Sequence, residues 1–155
     1  MEISFTKKAF KKHIISCKRA DGSVTWMQSD DFFVHHDLMH YAVETIMNYR
    51  NAFYGMLESG IDISDFELPK EKRTFSYSTE ALHSETLVGL INTELSQGNF
   101  EDLQQVIREM YESNYPSIAA PEVRLESVAR IKEKYEELVL NWMILAPNEK
   151  LILQF

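Results

Sequence analysis

His36 and His40 stand one helical turn apart in the stretch Phe32-Phe33-Val34-His35-His36-Asp37-Leu38-Met39-His40-Tyr41-Ala42-Val43-Glu44. Four residues of helix advance about 6 Å and overshoot a full rotation by only about 40°. Two imidazoles so spaced can converge on one ion, and this spacing forms the helical half of many zinc sites. Zinc suits imidazole best, with nickel, iron and manganese as further divalent candidates. Asp37 follows the first histidine where metalloproteases carry a glutamate as general base; it is one methylene shorter and reaches less far. Glu44 lies about 12 Å along the axis from His36, too far to share a single ion with it. Glu44 either binds beside His40 or holds the His40 ring by an outer hydrogen bond. Asp37 and Glu44 are therefore the candidate catalytic carboxylates.

A working site needs a third ligand from elsewhere in the chain. His83, near the start of a later helix, is the first choice and Glu80, on the same opening turn, the second. His35 should point away from His36, and His13 lies on a strand facing solvent. The same residues have an ordinary explanation as well. Asp37 can simply complement a helix dipole, and His40 with Glu44 can be an i,i+4 pair worth about 0.2–0.5 kcal/mol. A metal-free acid–base site is a third chemical reading. Cys17 has Lys18 and Arg19 beside it, which would lower its thiol pKa, but a small core residue is the plainer assignment. No Gly-x-Ser-x-Gly and no P-loop is present, and the five glycines are too scattered to cradle a phosphate.

The elements that must hold these residues read as α+β. Residues 2–28 pattern as a three-stranded antiparallel meander, with Asp21-Gly22 as a two-residue hairpin signal. A long helix is expected from about His36 to Glu58, with Asp30 or Asp31 near its start. Its inner stripe is Leu38, Ala42, Ile46, Tyr49, Phe53 and Met56, and Ser59-Gly60 is its stop. Residues 61–78 form the longest loop, and long loops are functional or mobile. Further helices are expected at about 79–96, capped by Ser78 or Thr79, at about 100–113, capped by Asn99, and at about 121–145, opened by Pro121. A last strand within 149–155 would join the N-terminal sheet. The chain then reads as a single domain over 1–155, with the helical part at 36–145 and the sheet packed against about four helices.

With 155 residues, 45% apolar and 26% charged, the chain can bury a full core without a disulfide or a structural metal. Its net charge of −8 argues against nucleic acid. Residues 1–30 nevertheless carry +3 and the remainder −11, so a basic meander sits on an acidic body and could steer an anionic partner. One cysteine allows no intrachain disulfide, which fits a reducing compartment. The start of the chain lacks an apolar signal core, and no apolar run is long enough to span a membrane. The expectation is a cytoplasmic protein.

His36-Asp37-Leu38, His40-Tyr41 and Val43-Glu44, flanked by Asp21-Gly22-Ser23-Val24-Thr25-Trp26 and Tyr49-Arg50-Asn51-Ala52-Phe53, resemble the motif of a family of small uncharacterised bacterial proteins. The resemblance covers roughly residues 20–60. It implies a bacterial cytoplasmic protein and carries no established activity. Three readings of function stand at this point. One is a divalent-metal-binding domain of hydrolytic type, with zinc on His36, His40 and His83. The second is a non-enzymatic module for a protein partner or for self-association. The third is a small-ligand pocket between the long helix and the sheet, walled by Trp26, Phe33 and Tyr41 and anchored by the two histidines.

Overall fold

The computed structural model describes residues 1–10 and 12–155, and Lys11 of the basic N-terminal region lies outside them. Strands β1 (Glu2–Thr6), β2 (His13–Lys18) and β3 (Val24–Ser29) form the expected meander. β4 (Lys150–Gln154) adds to the free side of β1, giving an antiparallel sheet in the order β3-β2-β1-β4. The register places Ile3 opposite Cys17 and Leu153, Phe5 opposite Ile15 and Leu151, and Ile15 opposite Met27. These residues share one face, and period-two alternation sends Trp26 to the other, where it is 57% exposed. The hairpin between β2 and β3 is longer than Asp21-Gly22 alone. Arg19 and Ser23 still pair through their backbones, and Gly22 closes a loop of Ala20, Asp21 and Gly22 at φ 85°.

Helix α1 runs Asp31–Met47 and starts five residues before His36, because the Asp30 carboxylate accepts the Phe33 N–H at 3.2 Å. The expected single helix to Glu58 is two. Asn48 takes the left-handed conformation at φ 55°, and the Asn48 and Tyr49 amides turn back to the Thr45 and Glu44 carbonyls. α2 (Phe53–Glu58) then begins after a short irregular link. α1 is buried almost all round from Asp37 to Glu44, since it packs on the sheet on one side and on two later helices on others.

Those helices are α3 (Thr79–Gln97) and α5 (Leu125–Ile144), with α4 (Leu103–Asn114) between them. Ser78 caps α3 as expected. α4 begins later than residue 100: the Glu94 carboxylate takes the Phe100 N–H, and Asp102, not Asn99, is the cap. α5 begins four residues after Pro121, because the Gln104 side chain bonds both the Pro121 carbonyl and the Val123 N–H and holds that segment extended. The long loop carries two short 3-10 turns, Ile63–Glu67 and Lys70–Lys72. The result is an α+β fold, with the sheet on one side of α1 and the other helices around it. Among the described residues no helix is long and apolar enough to cross a membrane.

The link between α1 and α2 depends on Gly55. A Cβ there would collide with the Arg50 carbonyl, so only glycine lets the chain turn back so tightly. Gly55→Ala should destabilise the protein by more than about 2 kcal/mol in urea unfolding, and a variant as stable as the parent would show that the tight turn is dispensable.

Candidate metal centre

The one-turn spacing on α1 sets how the two histidines lie. It places His36 and His40 side by side, ring centroids 4.7 Å apart, with His40 buried and His36 half-buried. His40 Nδ1 lies 3.1 Å from Glu44 Oε1 and 3.1 Å from Ser84 Oγ. An ionised carboxylate only accepts, so Nδ1 carries the proton and donates. Ser84 in turn donates to Glu44 Oε1 at 3.1 Å, and the Phe53 and Tyr54 amides at the start of α2 donate to the same carboxylate at 3.1 and 3.0 Å. Glu44 therefore has four donors and no access to solvent. It holds the His40 ring and does not reach a substrate.

This arrangement turns His40 Nε2 to the other side. Nε2 is the one buried side-chain polar atom among the described residues without a hydrogen-bond partner. Glu85 Oε1 sits 3.5 Å from it, close in distance but not aligned as a hydrogen bond. His36, His40 and Glu85 offer ligand atoms that all lie within 4.8 Å of one another, so this group could hold a metal ion. Tetrahedral zinc with bonds near 2.0 Å needs ligand atoms about 3.3 Å apart. The His40–Glu85 separation nearly meets that spacing already, and the half-exposed Glu85 carboxylate has room to adjust. Behind His36, the buried Asp37 carboxylate lies 3.4 Å from Nδ1. Each imidazole thus has a carboxylate beside one of its ring nitrogens, Asp37 for His36 and Glu44 for His40.

Neither candidate third ligand occupies this place. His83 Nε2 donates to the Ala119 carbonyl at 3.1 Å, and its ring lies against Tyr49 and Tyr111. The Glu80 carboxylate accepts the Arg50 and Asn51 amides at 2.7 and 2.6 Å, tying the start of α3 to the α1–α2 link. Glu85 is the residue that sequence reasoning missed. Its signal was present: the buried positions Ala81, Ser84, Val88 and Ile91 mark the inner face of α3. Glu85 borders that face one turn after Ala81, while His83 is rotated away from it by about 200°. His35 does point away, with Nδ1 3.2 Å from the Tyr135 hydroxyl. His13 does not face solvent. It is buried, with Nδ1 accepting the Lys8 amide and Nε2 at 3.1 Å from Asp31. Cys17 is a buried thiol that desolvation, helped by the Asp37 charge, pushes up to about 12.

The group opens on a cavity of about 310 Å³. Met27, Phe33, Phe53, Ile63, Phe66 and Tyr77 supply its apolar wall, drawn from β3, α1, α2 and the long loop. Of the expected wall residues only Phe33 is there. Trp26 is on the outer face of the sheet, and Tyr41 donates to the Gln154 carbonyl at 2.7 Å.

No protein-family model, curated protein or solved structure matches this chain.

In the metal-free protein, burial disfavours the His40 imidazolium, but the Glu44 and Glu85 carboxylates outweigh it and push His40 up to about 10. Burial also disfavours ionised Glu85, yet His40 and then His36 hold its carboxyl below the ordinary 4.5. A group raised from 6.5 to about 10 stabilises the fold fully below 6.5 and loses that contribution as pH climbs through 10. Metal-stripped protein should therefore show a falling Tm between pH 6.5 and 10. Glu85→Gln should flatten that fall; an unchanged slope in the variant would show that the Glu85 carboxylate does not sustain the charged ring.

Proposed function

We propose that this chain binds one divalent metal ion, zinc by preference, through His36, His40 and Glu85, and uses it for hydrolysis of a small ligand held in the adjoining cavity. The observation that carries this reading is the His40 ring. Its Nδ1 is locked as a donor by Glu44 and Ser84, while its Nε2 is buried without a hydrogen-bond partner beside a carboxylate and a second imidazole. An unpaired buried nitrogen is costly, and a metal ion satisfies it.

Two imidazoles and one carboxylate are a donor set found in zinc hydrolases, in which the fourth position is left to water or substrate. A bound ion lowers the pKa of its water toward neutrality and polarises a carbonyl. Asp37 borders the cavity next to His36. In this reading Asp37 would orient His36 and, from the cavity wall, could serve as a general base, while Glu44 would orient His40. A reducing, cytoplasmic setting agrees with the one cysteine being a buried free thiol.

The high His40 pKa favours a second reading, in which His40 stays protonated between Glu44 and Glu85 as a structural ion pair. The two readings differ in one measurement. Untagged protein, dialysed against zinc and then freed of excess, should hold about one ion per chain by elemental analysis. His40→Ala and Glu85→Ala should drop to background, with folding checked by circular dichroism, and His83→Ala should keep its metal. Absence of zinc from the parent, or its full retention in His40→Ala, would leave the ion-pair reading in place.

A further inference from the structure

We infer that the ligand of this centre is an uncharged small molecule carrying an aromatic ring next to a single lone-pair donor, such as a carbonyl oxygen or a ring nitrogen; the inference rests on the metal reading above. Size is the first argument. A cavity of about 150 Å³ is enough for benzene, so the 310 Å³ here takes one ring and a short functional group. That places it at the small end of ligand sites.

The second argument is the character of the wall. Phe53 and Phe66 meet edge to face at 5.0 Å, Phe66 lies 6.2 Å from Tyr77, and Phe53 lies 5.4 Å from the His40 ring. This is a run of rings whose faces and edges suit a further ring, and it leads directly to the metal-binding nitrogen. A ligand ring seated there brings its own donor atom to the open position of the metal.

The third argument is charge. Asp37, Glu67 and Glu85 border the cavity, and among the described residues no lysine or arginine does. Arg73, on the same loop, does not line the cavity. It donates to the Leu68 and Phe66 carbonyls and to the Tyr77 hydroxyl, and it stacks over the Tyr77 ring. Arg73 thus braces the loop that supplies Phe66 and Tyr77. A divalent ion held by Glu85 would carry one net positive charge, and Asp37 and Glu67 together outweigh it, so a carboxylate or phosphate gains no net attraction from the site as a whole.

Cobalt in place of zinc gives the full-length chain a visible spectrum that reports on the open position. Titration with phenylimidazole, imidazole and phenylphosphonate then separates ring from charge. Phenylimidazole should bind at least about tenfold more tightly than imidazole, and more tightly than phenylphosphonate. Phe66→Ala should hold the same amount of cobalt and lose most of the preference for the ring. Met27→Ala, in the part of the wall that β3 supplies, serves the same purpose if Phe66→Ala loses its helical circular dichroism. A chain that takes up cobalt but binds the two imidazoles alike, or prefers the phosphonate, overturns the ligand inference and leaves the metal centre standing. A chain that takes up no cobalt overturns both.

Discussion

The Glu44 carboxylate, buried and surrounded by four donors, is the interaction on which the rest of this structure turns. Its partners come from three helices: His40 on its own helix, Ser84 on α3, and the first amides of α2. A carboxylate removed from water is tolerable only when its oxygens are fully engaged. That requirement forces the chain to break after Met47 so that α2 can aim its N–H groups back at α1. It also fixes how α3 lies, because Ser84 must face the same point. Glu80 and Gly55 serve the same end from either side, the first by holding the link amides and the second by allowing the tight return.

His40 is where this buried network meets the cavity. Its ring has one nitrogen in the network and the other directed away from it, so the orientation of Nε2 is set by hydrogen bonds on the opposite edge. Ser84 and Glu85 are neighbours in sequence and meet the two edges of the same imidazole. Helix α3 therefore supplies both the group that locks the ring and the group that faces its free nitrogen. Such outer-layer support is what holds a metal ligand in its binding geometry.

The cavity beside this centre is shared between helix α1 and the part of the chain with the least regular structure. Ile63, Phe66, Glu67 and Tyr77 all come from the long loop, and Arg73 binds that loop together through two carbonyls and a phenol. The division is physically sensible. Rigid helices hold the atoms that need fixed distances, and a braced loop shapes the space in front of them.

Local patterns in the chain were enough for the strands, for the presence of the later helices and for the pairing of His36 with His40. Period-two alternation marks the meander and the last strand, spacings of three and four mark the helices, and Asp30 and Ser78 announce two of their starts. The His36–His40 pair is legible because both residues lie on one helix, where distance in sequence converts directly into distance in space. Only the tertiary structure decided that Glu85, and not His83, lies beside the two histidines. Only it decided that Glu44 is a buried anchor, that α1 ends at Asn48, and that Phe66 and Tyr77, not Trp26 and Tyr41, face the histidines. Each of these depends on how one element is rotated against another. Rotation is set by which face must be buried and which carboxylates must be satisfied by distant amides, and no single segment carries that information.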